Sequence, residues 1–344
     1  MNAGCAQGGN MFKKPTQVYR PIFKKAWEIT KQNRFLWIFG LFAALAGNGG
    51  IYEILVKGFG RIVSEGEADL TVSKWAWLTN FLSFPRLEDI YVRSPLFVSL
   101  LWVLFFVILV ALAFLIWVIV TSRGALISSV KKIASRKKTT LREGWTDGKK
   151  YFWPVLGLNL LSKALTFGLL ILITIPAMLF LTGQGGAIGL NLFLYILAFV
   201  IFTSLALFIS FMAVYATCFV VMENKPLIES IRLSWKMFIK NWLISIEMAL
   251  LLFGITIAAG IGIILFTLLY MIPVALLLFA FSYLELSLGF WLITFLATLG
   301  WFLALFFAGA IISTFQFSSW TLLFIEINKK KIWSKLLRFV GIGK

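Results

Sequence analysis

Six ionisable or amide side chains near long apolar runs are candidates for chemistry: Asn159, Lys163, Asn191, Glu247, Glu285 and Gln316. A charge placed alone in hydrocarbon costs at least about 2.5 kcal/mol, so such groups mark ion or substrate paths, or pair with one another. Lys163 lies ten residues beyond Trp153, about 15 Å along a helix, and Glu247 five residues beyond Trp242, about 7.5 Å by the same rise. If those helices pack together, the lysine stem reaches back to the carboxylate, which makes Lys163 and Glu247 a candidate intramembrane charge pair. The alternative places both charges at the membrane rim, because the residues from Ala164 to Thr182 can cross a bilayer alone. Other chemistries lack their parts. The chain has no histidine and two cysteines, Cys5 and Cys218, which excludes a serine–histidine triad, a disulfide framework and a thiolate or imidazole metal site. No glycine-rich phosphate loop, Asp-rich metal motif or pair of carboxylates at catalytic spacing is present. No catalytic, metal or cofactor residue can therefore be named.

The elements that position these groups must be membrane helices. A hydrophobic content of 60% over 344 residues and a mean hydropathy of +0.94 exclude an ordinary soluble domain. The expected fold class is all-α, a polytopic integral membrane protein with about six transmembrane helices arranged as three repeated hairpins. The spans are expected at Phe35 to Leu55, Leu96 to Val120, Trp153 to Pro176, Asn191 to Val221, Trp242 to about Tyr270, and Phe290 to about Ile325. Pro273 follows the fifth, and an apolar stretch then runs to Phe281. Gly47, Asn48, Gly49 and Gly50 interrupt the first span, and an uncharged turn, Gly183-Gln184-Gly185-Gly186, joins the third to the fourth. This divides the chain into a basic segment (1–34), the membrane domain (35–326) and a basic tail (327–344). Lys57 to Ser94 is the long polar connection, with a second surface helix expected around Lys74 to Leu82. No signal peptide is visible, and Cys5 lacks the preceding apolar stretch of a lipoprotein. Gln7-Gly8-Gly9 is encodable by a purine-rich run resembling a ribosome-binding site, so Met11 is the expected start and residues 1–10 would be untranslated.

Of the 32 Lys and Arg residues, 26 fall in the N-terminal segment, the sections Arg123 to Lys150 and Lys225 to Lys240, and the C-terminal tail. Lys57, Arg61, Lys74, Arg86 and Arg93 lie on the other side among six acids. The positive-inside rule then places both termini in the cytoplasm, and the stretch MFKKPTQVYRPIFKK reads like the start of a bacterial inner-membrane protein. The same distribution argues against nucleic acid as a partner, since the charges flank spans and no base-stacking module accompanies them.

Between two spans lies VVMENKPLIESIRLSWKMFIKNWLIS, from Val220 to Ser245. At 100° per residue, Leu227, Ile231, Trp235, Phe238 and Trp242 share one face and Glu229, Arg232, Lys236 and Lys240 the other, the pattern of an amphipathic helix in the membrane interface. Pro226 fits its first helical position, and Trp235 is expected to be buried where this helix meets the spans. Aligning Trp27, Trp145 and Trp235 reveals a repeat: Leu141, Arg142, Gly144, Trp145, Lys150 and Phe152 meet Ile231, Arg232, Ser234, Trp235, Lys240 and Trp242. Each hairpin is thus preceded by a basic interfacial helix. Anionic lipid headgroups are the expected partner of Lys131, Lys132, Arg136, Lys137, Lys138, Arg232, Lys236 and Lys240. Trp27, Trp145, Trp235 and Trp242 are the expected interfacial anchors. Gly254, Gly260 and Gly262, with Ala258 and Ala259, are expected to allow close helix packing.

Gly144-Trp145 followed after seven residues by Trp153, and the string from Glu223 to Trp235 leading into a long span, resemble the integral-membrane domain fused to some bacterial glycerophosphoryl diester phosphodiesterases. They resemble its stand-alone relatives equally. The resemblance covers roughly residues 121 to 260 and implies a membrane domain; it does not imply the phosphodiesterase activity, because the chain has neither the soluble barrel domain nor a histidine. Three function classes stay open. The leading one is a non-catalytic protein of membrane or envelope organisation that contacts anionic lipid through its surface helices. The alternative is a small-molecule or lipid transporter, and the third is an enzyme acting on a lipid headgroup.

Overall fold

The computed structural model describes residues 19–45, 95–182 and 188–329, which form nine α-helices and no strand. They are α1 (Tyr19–Gln32), α2 (Leu36–Leu45), α3 (Pro95–Ala134), α4 (Leu141–Lys150), α5 (Phe152–Thr182), α6 (Ile188–Glu223), α7 (Leu227–Lys240), α8 (Trp242–Tyr283) and α9 (Ser287–Asn328). Five are long and apolar enough to cross a membrane, over Ser99–Ala134, Phe152–Leu169, Leu192–Glu223, Trp242–Tyr283 and Ser287–Asn328. That architecture is compatible with a polytopic membrane protein. The expected first span is helical over Leu36–Leu45; its remainder, the connection 57–94 with its surface helix, the turn 183–186 and the tail beyond 329 lie outside the described residues.

Three boundaries differ from expectation. α3 does not stop at Val120 but continues to Ala134, because Thr121 to Ala134 holds no proline and its small residues, Gly124 among them, pack against α4. α8 runs through Pro273 to Tyr283 as one helix. Pro226 caps α7 in an extended conformation (φ −63°, ψ 158°) instead of occupying its first turn. At 42 residues, α8 and α9 are each about 63 Å long, twice the ~30 Å hydrocarbon core of a bilayer.

Short helices precede apolar ones across brief breaks: α1 before α2, α4 before α5, α7 before α8. The breaks are built locally. Thr140 caps α4 by accepting from the Glu143 N–H (3.4 Å), and the Tyr151 N–H closes it on the Gly148 carbonyl (3.2 Å). Asn224 turns the chain with φ 55°, a conformation asparagine tolerates, and the Asn241 side chain donates to the Met237 carbonyl (3.0 Å) to end α7. Each short helix lies along an earlier or distant long one: α4 on α3, α7 on α6 and α1 on α9. Close approach requires small residues there. A Cβ on Gly148 would come within 2.3 Å of the Thr121 carbonyl oxygen, and one on Gly40 within 2.6 Å of that of Ala310, so α4 and α2 meet their neighbours backbone to backbone.

One hydrophobic core joins α1, α2, the C-terminal parts of α3, α6 and α9, the starts of α5 and α8, and Phe238 of α7, with Trp145 of α4 packed against it. Phe211 packs on Trp320 (5.8 Å between centroids) and Phe219 edge-on to Phe324 (4.8 Å), while Tyr215 and Ser245 share a buried hydroxyl hydrogen bond of 2.7 Å. Away from this core the same helices expose their apolar side chains, among them Phe105, Phe106 and Phe114 of α3 and Leu268, Leu269 and Phe279 of α8. Side chains so exposed suit a hydrocarbon surrounding.

Candidate functional site

The continuation of α3 carries the polar run Thr121-Ser122-Arg123 into the shared core, where Arg123 is only 3% exposed. Its Nη1 donates to Asn159 Oδ1 of α5, and the guanidinium lies over the Phe317 ring of α9 at 5.8 Å. Asn159 is held in turn by its own Nδ2, which donates to the Val155 carbonyl (2.9 Å). Among the described residues Arg123 Nε and Nη2 have no hydrogen-bond partner, nor has the buried hydroxyl of Thr121, Ser122, Ser129, Ser318 or Ser319. No carboxylate pairs with Arg123 among the described residues. Beside it lies a cavity of about 20 Å³ lined by Arg123, Asn159, Thr217, Cys218, Trp320 and Thr321. That is space for about one water molecule. The Thr217 and Thr321 hydroxyls donate to backbone carbonyls (both 2.7 Å), so they present lone pairs, whereas the guanidinium presents unused N–H groups. The centre of the bundle is therefore a donor for any acceptor small enough to enter.

The structure does not join Lys163 to Glu247. Lys163 is exposed on α5 and forms no ion pair among the described residues, while Glu247 on α8 accepts a hydrogen bond from Tyr19 Oη of α1. Gln316 donates to Thr256 Oγ1 across α9 and α8 (2.7 Å), Glu285 sits exposed at their turn with φ 52°, and the Asn191 side chain lies outside the described set. Among the described residues no group of three or more His, Cys, Asp or Glu could hold a metal.

The expected headgroup contacts divide. Lys131 donates to the Met222 carbonyl at the end of α6, and Lys132 pairs with Asp147 of α4 at 2.6 Å, so both bind protein. Burial pushes the Asp147 carboxyl up, but hydrogen bonds from Lys132 and Ser128 and the charges of Lys132 and Lys150 outweigh it and hold its pKa below the ordinary carboxylate value. Arg136, Lys137, Lys138, Arg232, Lys236 and Lys240 are exposed. Trp145 is half-buried, stacked on Phe39 (6.2 Å) and edge-on to Trp117 (5.7 Å). Trp27 and Trp242 are about half exposed, and Trp27 meets Phe315 edge-on at 6.2 Å. Trp235 departs from expectation: it is 49% exposed and touches Phe208 edge-on (5.0 Å). The face of α7 that packs on α6 carries the fully buried Ser230 and Ser234, with Phe238, because small residues let the two helices approach.

Gly254, Gly260 and Gly262 also depart from expectation, since a Cβ added to any of them meets nothing within 4 Å. They border open space. A groove of about 460 Å³ runs between α8 and α9 past Gly262 and Ala308, and a second of about 740 Å³ lies between α1, α8 and α9. In contrast to the Arg123 cavity, both are open and almost wholly apolar. Among the described residues the fold and this site thus define an all-helical arrangement with five helices long and apolar enough to cross a membrane, a polar centre and open apolar grooves. Compared with known proteins, the chain matches no family model, no curated protein and no solved structure.

Proposed function

We propose that this is a non-catalytic bacterial inner-membrane protein that organises the membrane or envelope through contact with anionic lipid at its cytoplasmic face. Its six spans form three repeated hairpins with both termini cytoplasmic, as the basic sections flanking the spans favour. The repeat is supported by Ala26, Gly144 and Ser234, each preceding the tryptophan of its short helix and each buried against the bundle.

One observation carries the functional reading. α1, α4 and α7 share one core at one end of the bundle, and each turns cations outward there, including Lys24 and Lys25, Arg142 and Lys149, and Arg232, Lys236 and Lys240. A basic belt beside a long apolar surface attracts anionic headgroups at about 1 kcal/mol per residue. The test is the lipid composition around the full-length protein extracted in native nanodiscs. Anionic lipid should be enriched over the bulk membrane, and less so when Arg232, Lys236 and Lys240 are all changed to Gln; equal enrichment in both proteins would refute the reading.

A transporter remains as a second reading, favoured by the unpartnered donors of Arg123. Uptake of a small anion into proteoliposomes that is abolished by Arg123→Gln would support it over the first.

A further inference from the structure

We propose that the groove between α1, α8 and α9 binds one anionic phospholipid, its phosphate at Arg20 and Lys24 and one acyl chain laid along α8, a site that rests on the lipid reading above. Arg20 and Lys24 stand one turn apart on α1, both line the groove, both are exposed, and neither makes an ion pair among the described residues. Two cations on one edge, unpaired among the described residues, select a headgroup with net negative charge. Below them the walls are apolar: Phe23 and Trp27 of α1, Leu251 and Ile255 of α8, Ile312 and Phe315 of α9.

The groove does not end there. Ala259, Ile311 and Ile312 line both it and the adjoining space between α8 and α9, so the two are continuous from Leu251 to Phe266. From Leu251 to Phe266 the helix rises about 22 Å, longer than the half of a ~30 Å hydrocarbon core that one leaflet fills. The groove stays open because Gly262 of α8 and Ala304 and Ala308 of α9 present little side chain across it. Within a bilayer such a space fills with hydrocarbon, and a chain seated there brings its headgroup to the cationic end.

Retention of phosphatidylglycerol and of phosphatidylcholine with the same acyl chains, measured by native mass spectrometry on the full-length protein in detergent, tests the site. The wild type should retain one phosphatidylglycerol in preference. Arg20→Gln with Lys24→Gln should weaken phosphatidylglycerol roughly thirty-fold, from two cations near an anionic surface, and leave phosphatidylcholine unchanged. Gly262→Phe, at a position where an added Cβ meets nothing, should fold normally and lose the bound lipid of either kind. If the wild type prefers phosphatidylglycerol and both variants keep it, the groove is not the site, although the basic-belt reading stands. No preference in the wild type overturns both. A shift in oligomeric state with Gly262→Phe, with lipid retention unchanged, assigns the groove to a second copy of the chain and overturns the proposal.

Discussion

Replacing Asn159 with leucine would test how a cation is held at the centre of this bundle. Among the described residues Arg123 has one hydrogen-bond partner, Asn159 Oδ1; its Nε and Nη2 have none there, and it lines a cavity with space for about one water. A hydrogen bond to a charged group contributes about 1.5–3 kcal/mol, and removing one partner of a buried charge costs about 3–5 kcal/mol. Asn159→Leu should therefore cost about 3 kcal/mol, where the two ranges meet. Arg123→Met removes the charge and fills its space with an apolar chain, but leaves Asn159 Oδ1 without its donor, a cost of about 1–3 kcal/mol partly offset by the loss of the buried cation. In the double variant neither group is stranded, so it should be as stable as the wild type or more stable by about 1–4 kcal/mol. The assay is the unfolding midpoint of the four proteins in one mild detergent, read as a double-mutant cycle. A double variant as unstable as the sum of the singles would refute the reasoning. So would a silent Asn159→Leu beside a strongly destabilised Arg123→Met, since the cation would then be balanced elsewhere.

Gly148→Ala should sharply lower folded yield, because its Cβ would lie 2.3 Å from the Thr121 carbonyl oxygen; Gly254→Ala, with nothing within 4 Å, should be neutral or stabilise by about 0.5–1 kcal/mol. Both are read by size-exclusion yield and melting. The Asp147 pKa is lower folded than unfolded, so its contribution is complete above the unfolded value of about 3.9 and is lost as pH falls through the folded one. Acidification below about pH 4 should thus destabilise the wild type more than Asp147→Asn, as followed by melting against pH. Cysteines placed at Lys137 and Lys236 should react with an impermeant reagent only from the cytoplasm, and those at Gly185 and Glu285 only from the other side. Cys218 is buried and should stay silent in that experiment once Cys5 is replaced.

What the sequence made legible was what depends on composition over many residues. Runs of twenty apolar residues mark a membrane helix wherever they occur, and α7 ends where Asn241 offers its side chain to the Met237 carbonyl. The polar centre was not legible for a physical reason. An arginine after an apolar run reads as the end of a span, and Arg123 opens a section rich in cations that resembles a cytoplasmic loop. It is buried because α4 folds back on α3 through Gly148, while α5 and α9 supply Asn159 and Phe317 from 36 and 194 positions away.

The same limit explains Trp235 and the glycines of α8. A helical wheel ranks faces by hydrophobicity, and so it turned Trp235 inward, while the association of small residues with close helix packing made Gly254, Gly260 and Gly262 contact points. Helices surrounded by lipid gain little by burying hydrocarbon against one another, and they associate where backbones can approach. Ser230 and Ser234 therefore face α6, while Trp235 is left half exposed at the edge of the contact. On α8 the small residues meet no partner helix closely enough to close the gap, so the feature that elsewhere seals two helices leaves a groove here. Whether a stripe of small residues closes or opens a surface depends on what the opposite helix presents. Across α4 it is the α3 backbone at Thr121 and Ala125; across α8 it is Ala304 and Ala308, set too far away to fill the space.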